Sequence, residues 1–260
     1  MYPVAIIHDV GHVGVPNGQL IKENQELASK YKNKSVAEQN SVDLSWNLLQ
    51  EDCYKDLRRA IYETEEERTR FRHLVVNSVL ATDIFDPDLV KLRNSRWEKA
   101  FKTKPTNSAN SKEDTDRKAT IVIEHLIQAS DVAHTMQHWH VYVKGNQKLF
   151  EEMYKAHKDG RTTNGNDPTD GWYKGELWFY DNYIIPLAKK LKDCGVFGVS
   201  SDEYLNYAMK NRAEWESKGR QVVAGFVADM KLVSSAKTSS KKGKVNRRLG
   251  IDCNSNRFNT

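Results

Sequence analysis

The sequence predicts an all-α fold, on three observations. Apolar residues recur at three- and four-residue steps through most of the chain. No stretch alternates apolar and polar residues over a convincing strand length. Only 14 Gly and 6 Pro punctuate 260 residues, so long helices are allowed. The expected architecture is a compact multi-helix bundle with its chemistry at the bottom of a pocket.

The elements follow in order. Residues 35–50 open with Ser35 and Glu38, the S-x-x-E pattern of a capping box, and continue with Val42, Trp46 and Leu49 at helical spacing. Residues 65–82 place Phe71, Leu74, Val75, Val79 and Leu80 on one stripe. Residues 88–101 and 116–157 also read as helices. Residues 174–193 set Phe179, Tyr183, Leu187 and Leu191 four apart, with Pro186 expected to kink or locally re-bond the helix. Residues 201–232 read as a last long helix, capped by Ser201 and interrupted at Gly219 and Gly225. Two polar, turn-rich segments, 103–116 and 159–171, read as loops. Residues 1–233 form one domain, and the Ser-, Lys- and Asn-rich residues 234–260 are expected to be a disordered basic tail.

Composition excludes several classes. Hydrophobic residues make up 38% and charged residues 29%, an ordinary globular balance. No apolar run reaches about 18 residues, the length a membrane helix needs. The net charge of +5 belongs to the tail, which carries Lys237, Lys241, Lys242, Lys244, Arg247, Arg248 and Arg257 against Asp252 alone. The near-neutral body that remains argues against nucleic acid as a partner. Met1–Ile7 lacks the basic region and cleavage site of a signal peptide. Cys53, Cys194 and Cys253 lack metal-ligand spacing and read as free thiols, which points to the cytoplasm.

The chemistry sits first in IIHDVGHVGVPN. Read as a helix, His8 and His12 share a face and Asp9 lies about 100° away. Imidazole suits zinc, and carboxylate suits zinc or magnesium. Gly14 and Pro16 would then end the helix. An H-D pair alone is more often a surface or capping feature, and H-D-x-x-H is short. Asp131 is a second pointer, because the apolar run LIQASDVA would bury its carboxylate at a cost without a partner or metal.

Five ordered blocks over residues 4–195 resemble the catalytic domain of class I 3′,5′-cyclic nucleotide phosphodiesterases. They are HDVGHVGVPN, ELASKY with KSVAEQN, VLATDI, IEHLIQASDVAHTMQHW and ELWFYDNYIIPL. The wording is also similar to the enzymes of diatoms and related algae. The resemblance implies an HD-type all-α catalytic domain and hydrolysis of cyclic nucleotides to 5′-monophosphates in signal transduction. It implies two divalent ions, zinc at the tighter site and magnesium or manganese at the other. His8, Asp9 and Asp131 then look like metal ligands. His12 looks like the histidine beside the bridging water, with Glu38 as its acidic partner. Phe179 looks like the wall on which the purine stacks and Leu149 like the opposite jaw; without the resemblance, plain core packing is the preferred reading of both. Asn17 and Thr82 match positions near the pocket. Tyr142 is expected to be structural, and His134 and His138 to be packing or surface residues, with a purine-facing role open to His134.

Three departures from the family stand out. Its upstream H-N-x-x-H-A-x-D segment, which carries the general acid and a further zinc ligand, does not occur in these 260 residues. The expectation is a domain lacking its N-terminal helices, with weak or no turnover on its own. Gly11 stands where the family often has aspartate. Glu176 stands where the family has its purine-binding glutamine. An ionised Glu176 can only accept, which favours the neighbouring N–H donors of guanine, and so cyclic GMP over cyclic AMP. The competing readings are another HD-type metal phosphohydrolase and an inactive nucleotide-binding remnant. A homodimer is compatible with the sequence, and membrane contact is expected only if a parent protein carries a membrane segment.

Overall fold

A computed structural model describes residues 2–102, 112–162 and 165–248, with side chains from Val4 to Leu232 within those ranges. The fold is all-α, with no strand among the described residues. The helices are α1 (Tyr2–Ile7), α2 (Asn17–Glu23), α3 (Gln25–Lys30), α4 (Val36–Gln50), α5 (Lys55–Ile61) and α6 (Glu65–Leu80). They continue as α7 (Pro87–Trp97), α8 (Lys112–Asp131), α9 (Trp139–Lys158), α10 (Pro168–Phe179), α11 (Ile185–Asp193) and α12 (Val199–Arg248).

Several boundaries follow from local chemistry. Thr64 Oγ1 accepts the Glu67 N–H at 3.2 Å and the Glu67 carboxylate accepts the Thr64 N–H at 3.1 Å, so a reciprocal capping box opens α6. Asp86 before Pro87, and Asp167 before Pro168, cap α7 and α10 with proline at the first helical position. The capping box expected at Ser35 does not form. Ser35 has φ of 39°, and its hydroxyl donates instead to Asp83 Oδ2 at 2.6 Å. A long-range partner thus outcompetes the local cap.

Pro186 re-bonds its helix rather than kinking it. Residues Tyr180–Ile184 form a π-turn between α10 and α11, which absorbs the missing N–H one turn earlier. Gly219 and Gly225 do not interrupt α12. The Trp215 ring lies where a Cβ on Gly219 would stand, only 2.8 Å away. The helix also begins at Val199, ahead of Ser201, and runs to Arg248, past the helix end expected at 232. Residues 249–260 and most of the 103–116 segment lie outside the described residues.

The single helix expected over 116–157 is two helices. Between α8 and α9 lie a 3₁₀ turn, Ala133–Met136, and the extended Gln137. The break has no Gly or Pro. Its exposed carbonyls are satisfied from afar: Asn211 on α12 donates to Thr135 O at 3.0 Å and Gln137 O at 2.7 Å, and Tyr180 OH donates to Thr135 O. This break makes Asp131 the last residue of α8.

Two cores position the site. Tyr142, Phe150, Tyr180, Ile184, Trp215 and Phe226 fill the larger one between α9, α10, α11 and α12. The smaller one packs Val4 of α1 against Val42, Val75, Val79 and Ile127, so α4, α6 and α8 together hold the helix that precedes His8.

Replacing Asn211 with alanine removes the donor shared by the buried Thr135 carbonyl and the Gln137 carbonyl. We expect a loss of about 1–3 kcal/mol in urea unfolding. A change within about 0.5 kcal/mol, the range of an ordinary surface substitution, would show that the break does not depend on this amide.

Candidate metal centre

Helix α1 stops at Ile7, and His8 is the first residue past it, its N–H still bonded to Val4 O. The chain then turns rather than continuing as a helix. Val10 N–H meets Ile7 O, His12 N–H meets Asp9 O, and Gly11 and Gly14 take φ of 77° and 71°. The helical face expected for His8 and His12 therefore does not exist. A Cβ on Gly11 would also stand 2.7 Å from Leu44 Cδ1, so glycine there meets both a backbone and a space demand.

His8, Asp9 and Asp131 converge. His8 Nε2 lies 3.2 Å from Asp9 Oδ2 and 3.3 Å from Asp131 Oδ1. One donor atom from each of the three falls within 4.8 Å of the others. His8 Nδ1 faces the Ala5 carbonyl at 2.9 Å, which fixes that nitrogen as the donor and turns Nε2 towards the carboxylates. Hydrogen bonds to Asp131 and Asp9 push the His8 pKa up to about 10, so without a cation a proton bridges the two acids. The hydrogen bond from His8 in turn lowers the Asp9 pKa.

One imidazole nitrogen and two carboxylates at this spacing fit a divalent cation. The orienting bond on the second ring nitrogen is also what a ligating histidine needs. His12 stands apart from the trio, with its Nδ1 accepting the Gly14 N–H at 3.2 Å. Glu38 accepts from Asn17 Nδ2 at 2.8 Å, and Asn17 Oδ1 accepts the Ala37 N–H at 2.9 Å. Burial raises the Glu38 pKa; the Asn17 bond and the nearby His12 oppose it. Asn17 is thus the direct partner of Glu38, and His12 acts on it through space. Thr82 donates to Val79 O, ending α6 just before the buried Asp83.

The residues expected to grip a base are not on one surface. Glu176 lines a cavity of about 660 Å³ with Pro16, Met153, Asp167, Asp170 and Trp172. Phe179 stacks on Tyr183, ring centres 5.2 Å apart, and lines a separate groove of about 350 Å³. Leu149 is 46% exposed and lines neither. Burial raises the Tyr183 pKa with help from the charge of Asp131, so the stacked pair sits within electrostatic reach of the trio.

Tyr142, expected to be structural, donates to Glu176 Oε2 at 2.8 Å. Burial lifts the Glu176 pKa to about 7, against hydrogen bonds from Tyr142 and Asn146 that pull it down. Trp172 Nε1 donates to Asn146 Oδ1. Trp172 and Glu176 are four apart on α10, as Tyr142 and Asn146 are on α9, so facing i, i+4 pairs were the signal available for this network. His134 stacks on Tyr142 and covers Gly145, whereas His138 is exposed and bonds Tyr207 OH.

Solved structures share the fold. The phosphodiesterase domain of Salpingoeca rosetta rhodopsin phosphodiesterase superposes with a TM-score of 0.66 at 20% identity, covering 88% of this chain and 68% of that one. Among curated sequences, the probable 3′,5′-cyclic-AMP phosphodiesterase pde-4 of Caenorhabditis elegans is 29% identical over 152 residues, 57% of this chain and 21% of its own. The dual specificity calcium/calmodulin-dependent 3′,5′-cyclic nucleotide phosphodiesterase 1B of Mus musculus is 28% identical over 151 residues, 58% of this chain and 25% of its own. The matches thus span about a quarter or less of those relatives. Residues 1–196 match the family model for 3′,5′-cyclic nucleotide phosphodiesterase, and with three quarters of its length inside that model the chain belongs to this family.

Proposed function

We propose that this chain carries the metal-holding and base-facing side of a 3′,5′-cyclic nucleotide phosphodiesterase site, which hydrolyses its substrate to the 5′-monophosphate. The convergence of His8, Asp9 and Asp131 carries the reading. These three would hold zinc at the tighter position, and the carboxylates of Asp9 and Asp131 would reach a neighbouring magnesium or manganese. When bound, such ions neutralise phosphate oxygens and acidify a coordinated water. His8 offers Nε2 because Ala5 holds Nδ1. The Glu38–Asn17 pair fixes the start of α2 against α4, which holds the loop bearing His12 in place.

Glu176 is the residue for base selection, and the preferred substrate is cyclic GMP when its carboxyl is ionised. The carboxylate accepts from the N1–H and 2-amino groups of guanine. The neutral acid both donates and accepts, as glutamine does, and serves adenine as well. Burial lifts the Tyr142 and Tyr180 pKa values above the usual range, so both stay neutral near pH 7. Asp167 and Asp170 share the cavity with Glu176. With a Glu176 pKa of about 7, preference for cyclic GMP over cyclic AMP should rise several-fold between pH 6 and 8. Glu176→Gln should flatten that rise, and an unchanged pH profile in this variant would remove Glu176 from the selectivity role.

The same ionisation weighs on folding. Between pH 4.5 and about 7 the folded chain keeps a proton that the unfolded chain has released, so stability falls as pH rises through that window. Glu176→Gln should gain on the order of 2–3 kcal/mol relative to the parent on going from pH 4 to pH 8.

The reading as a whole is tested by titrating the metal-free chain with Zn²⁺ in a calorimeter, alongside an assay of 5′-monophosphate release with Zn²⁺, Mg²⁺ or Mn²⁺ added. Saturable binding that is lost in His8→Ala and Asp131→Asn supports it. Binding unchanged in both variants contradicts it.

A further inference from the structure

Two parts of the site meet along one seam. The loop that carries His12 supplies Pro16 to the cavity around Glu176, and the turn that ends α9 supplies Thr162 to the same wall. Arg161 stands at that seam. Its Nε donates to Glu23 Oε1 at 2.9 Å and its Nη2 to Glu23 Oε2 at 2.7 Å, a two-pronged bond between residues 138 apart in the chain. Its Nη1 donates to the Val13 carbonyl at 3.4 Å, one residue beyond His12. One guanidinium thus ties the end of α9 to the end of α2 and to the metal-centre loop.

Local chemistry aims Arg161 at this place. Helix α9 closes in a Schellman motif. Gly160 takes φ of 72°, its N–H meets His157 O at 3.0 Å, and the Arg161 N–H meets Ala156 O at 2.8 Å. Gln19 donates to Glu23 Oε1 at 3.0 Å and steadies the carboxylate from its own helix. Ser41 donates to Val10 O at 2.9 Å and holds the start of the loop. Val13, at its other end, is 44% exposed, and there Arg161 is the donor. The Arg161 and Glu23 side chains are 38% and 27% exposed, and an ion pair this close to solvent adds little to global stability. Its effect lies in alignment.

We propose that Arg161 is a positioning residue that keeps the His12 loop in register with the wall of the Glu176 cavity, so that a nucleotide is gripped by its phosphate and its base at once. The role rests on the reading of the site under the proposed function. A shift of about 1 Å between the two parts is enough to lose much of the gain from holding both ends together. Lysine would keep the charge at 161, but a single ammonium cannot present the fork.

Amide hydrogen exchange of the metal-free chain tests the tie itself. In Arg161→Gln, exchange at the His12 and Gly14 amides should quicken about tenfold, with the amides of α6 unchanged. Arg161→Lys should behave as Arg161→Gln does, and Glu23→Gln should add nothing further in the Arg161→Gln background. The second readout compares 5′-GMP with ribose 5-phosphate on the Zn²⁺-loaded chain. The parent should favour 5′-GMP about thirtyfold, and Arg161→Gln should cut that ratio about fivefold while ribose 5-phosphate binds as before. Unchanged exchange at His12 and Gly14, full rescue by lysine, or an unchanged ratio would overturn the proposal. A parent that binds no Zn²⁺ would instead contradict the metal-centre reading, and the exchange rates alone would then decide whether Arg161 holds the loop.

Discussion

The arrangement depends on one imidazole set between two carboxylates. His8 and Asp9 leave the end of a six-residue helix, and Asp131 ends a helix more than a hundred residues later. Three like-directed acceptor groups this close would repel, even with Asp9 and Asp131 exposed to solvent. A shared proton, or a cation in its place, is what lets them stay together. The Ala5 carbonyl adds direction, because it takes up one ring nitrogen and leaves the other for the cluster.

Holding that junction is the task of the surrounding bundle. Helix α1 is too short to be stable alone. It is fixed because Val4 enters a pocket made by α4, α6 and α8. Asp131 reaches the same point because α8 stops there, and α8 stops there because α12 and the π-turn supply donors to the carbonyls that follow. Asn211, Tyr180 and Thr135 therefore set the position of a carboxylate that none of them touches. The two glycines after Asp9 do the complementary work, since their left-handed backbone lets the chain reverse at once instead of extending α1.

The helices and the three converging side chains were legible in the sequence. The helical period is a local property, and the ordered HDVGH, LATD and ASD blocks carried the site through family resemblance. What failed to read was set by distant partners. Nothing in VAHTMQHW announces a break, because the residue that stabilises it lies at 211. Ser35 and Glu38 have the right spacing for a cap, yet Asp83 takes the hydroxyl. His12 was placed on a helical face that Gly11 prevents. The residues expected to face a base were also seen only in part: Glu176 and Phe179 are three apart on one helix, but they line different hollows, and the Tyr142–Glu176–Asn146–Trp172 network appears only when α9 and α10 are packed together.

The most direct test of the central claim is anomalous diffraction from crystals of the chain grown with Zn²⁺. The account predicts a peak about 2.0–2.2 Å from His8 Nε2 and from a carboxylate oxygen of Asp131, with Asp9 alongside. A peak held by other residues, or a structure in which these three side chains point apart with Zn²⁺ present, would contradict it.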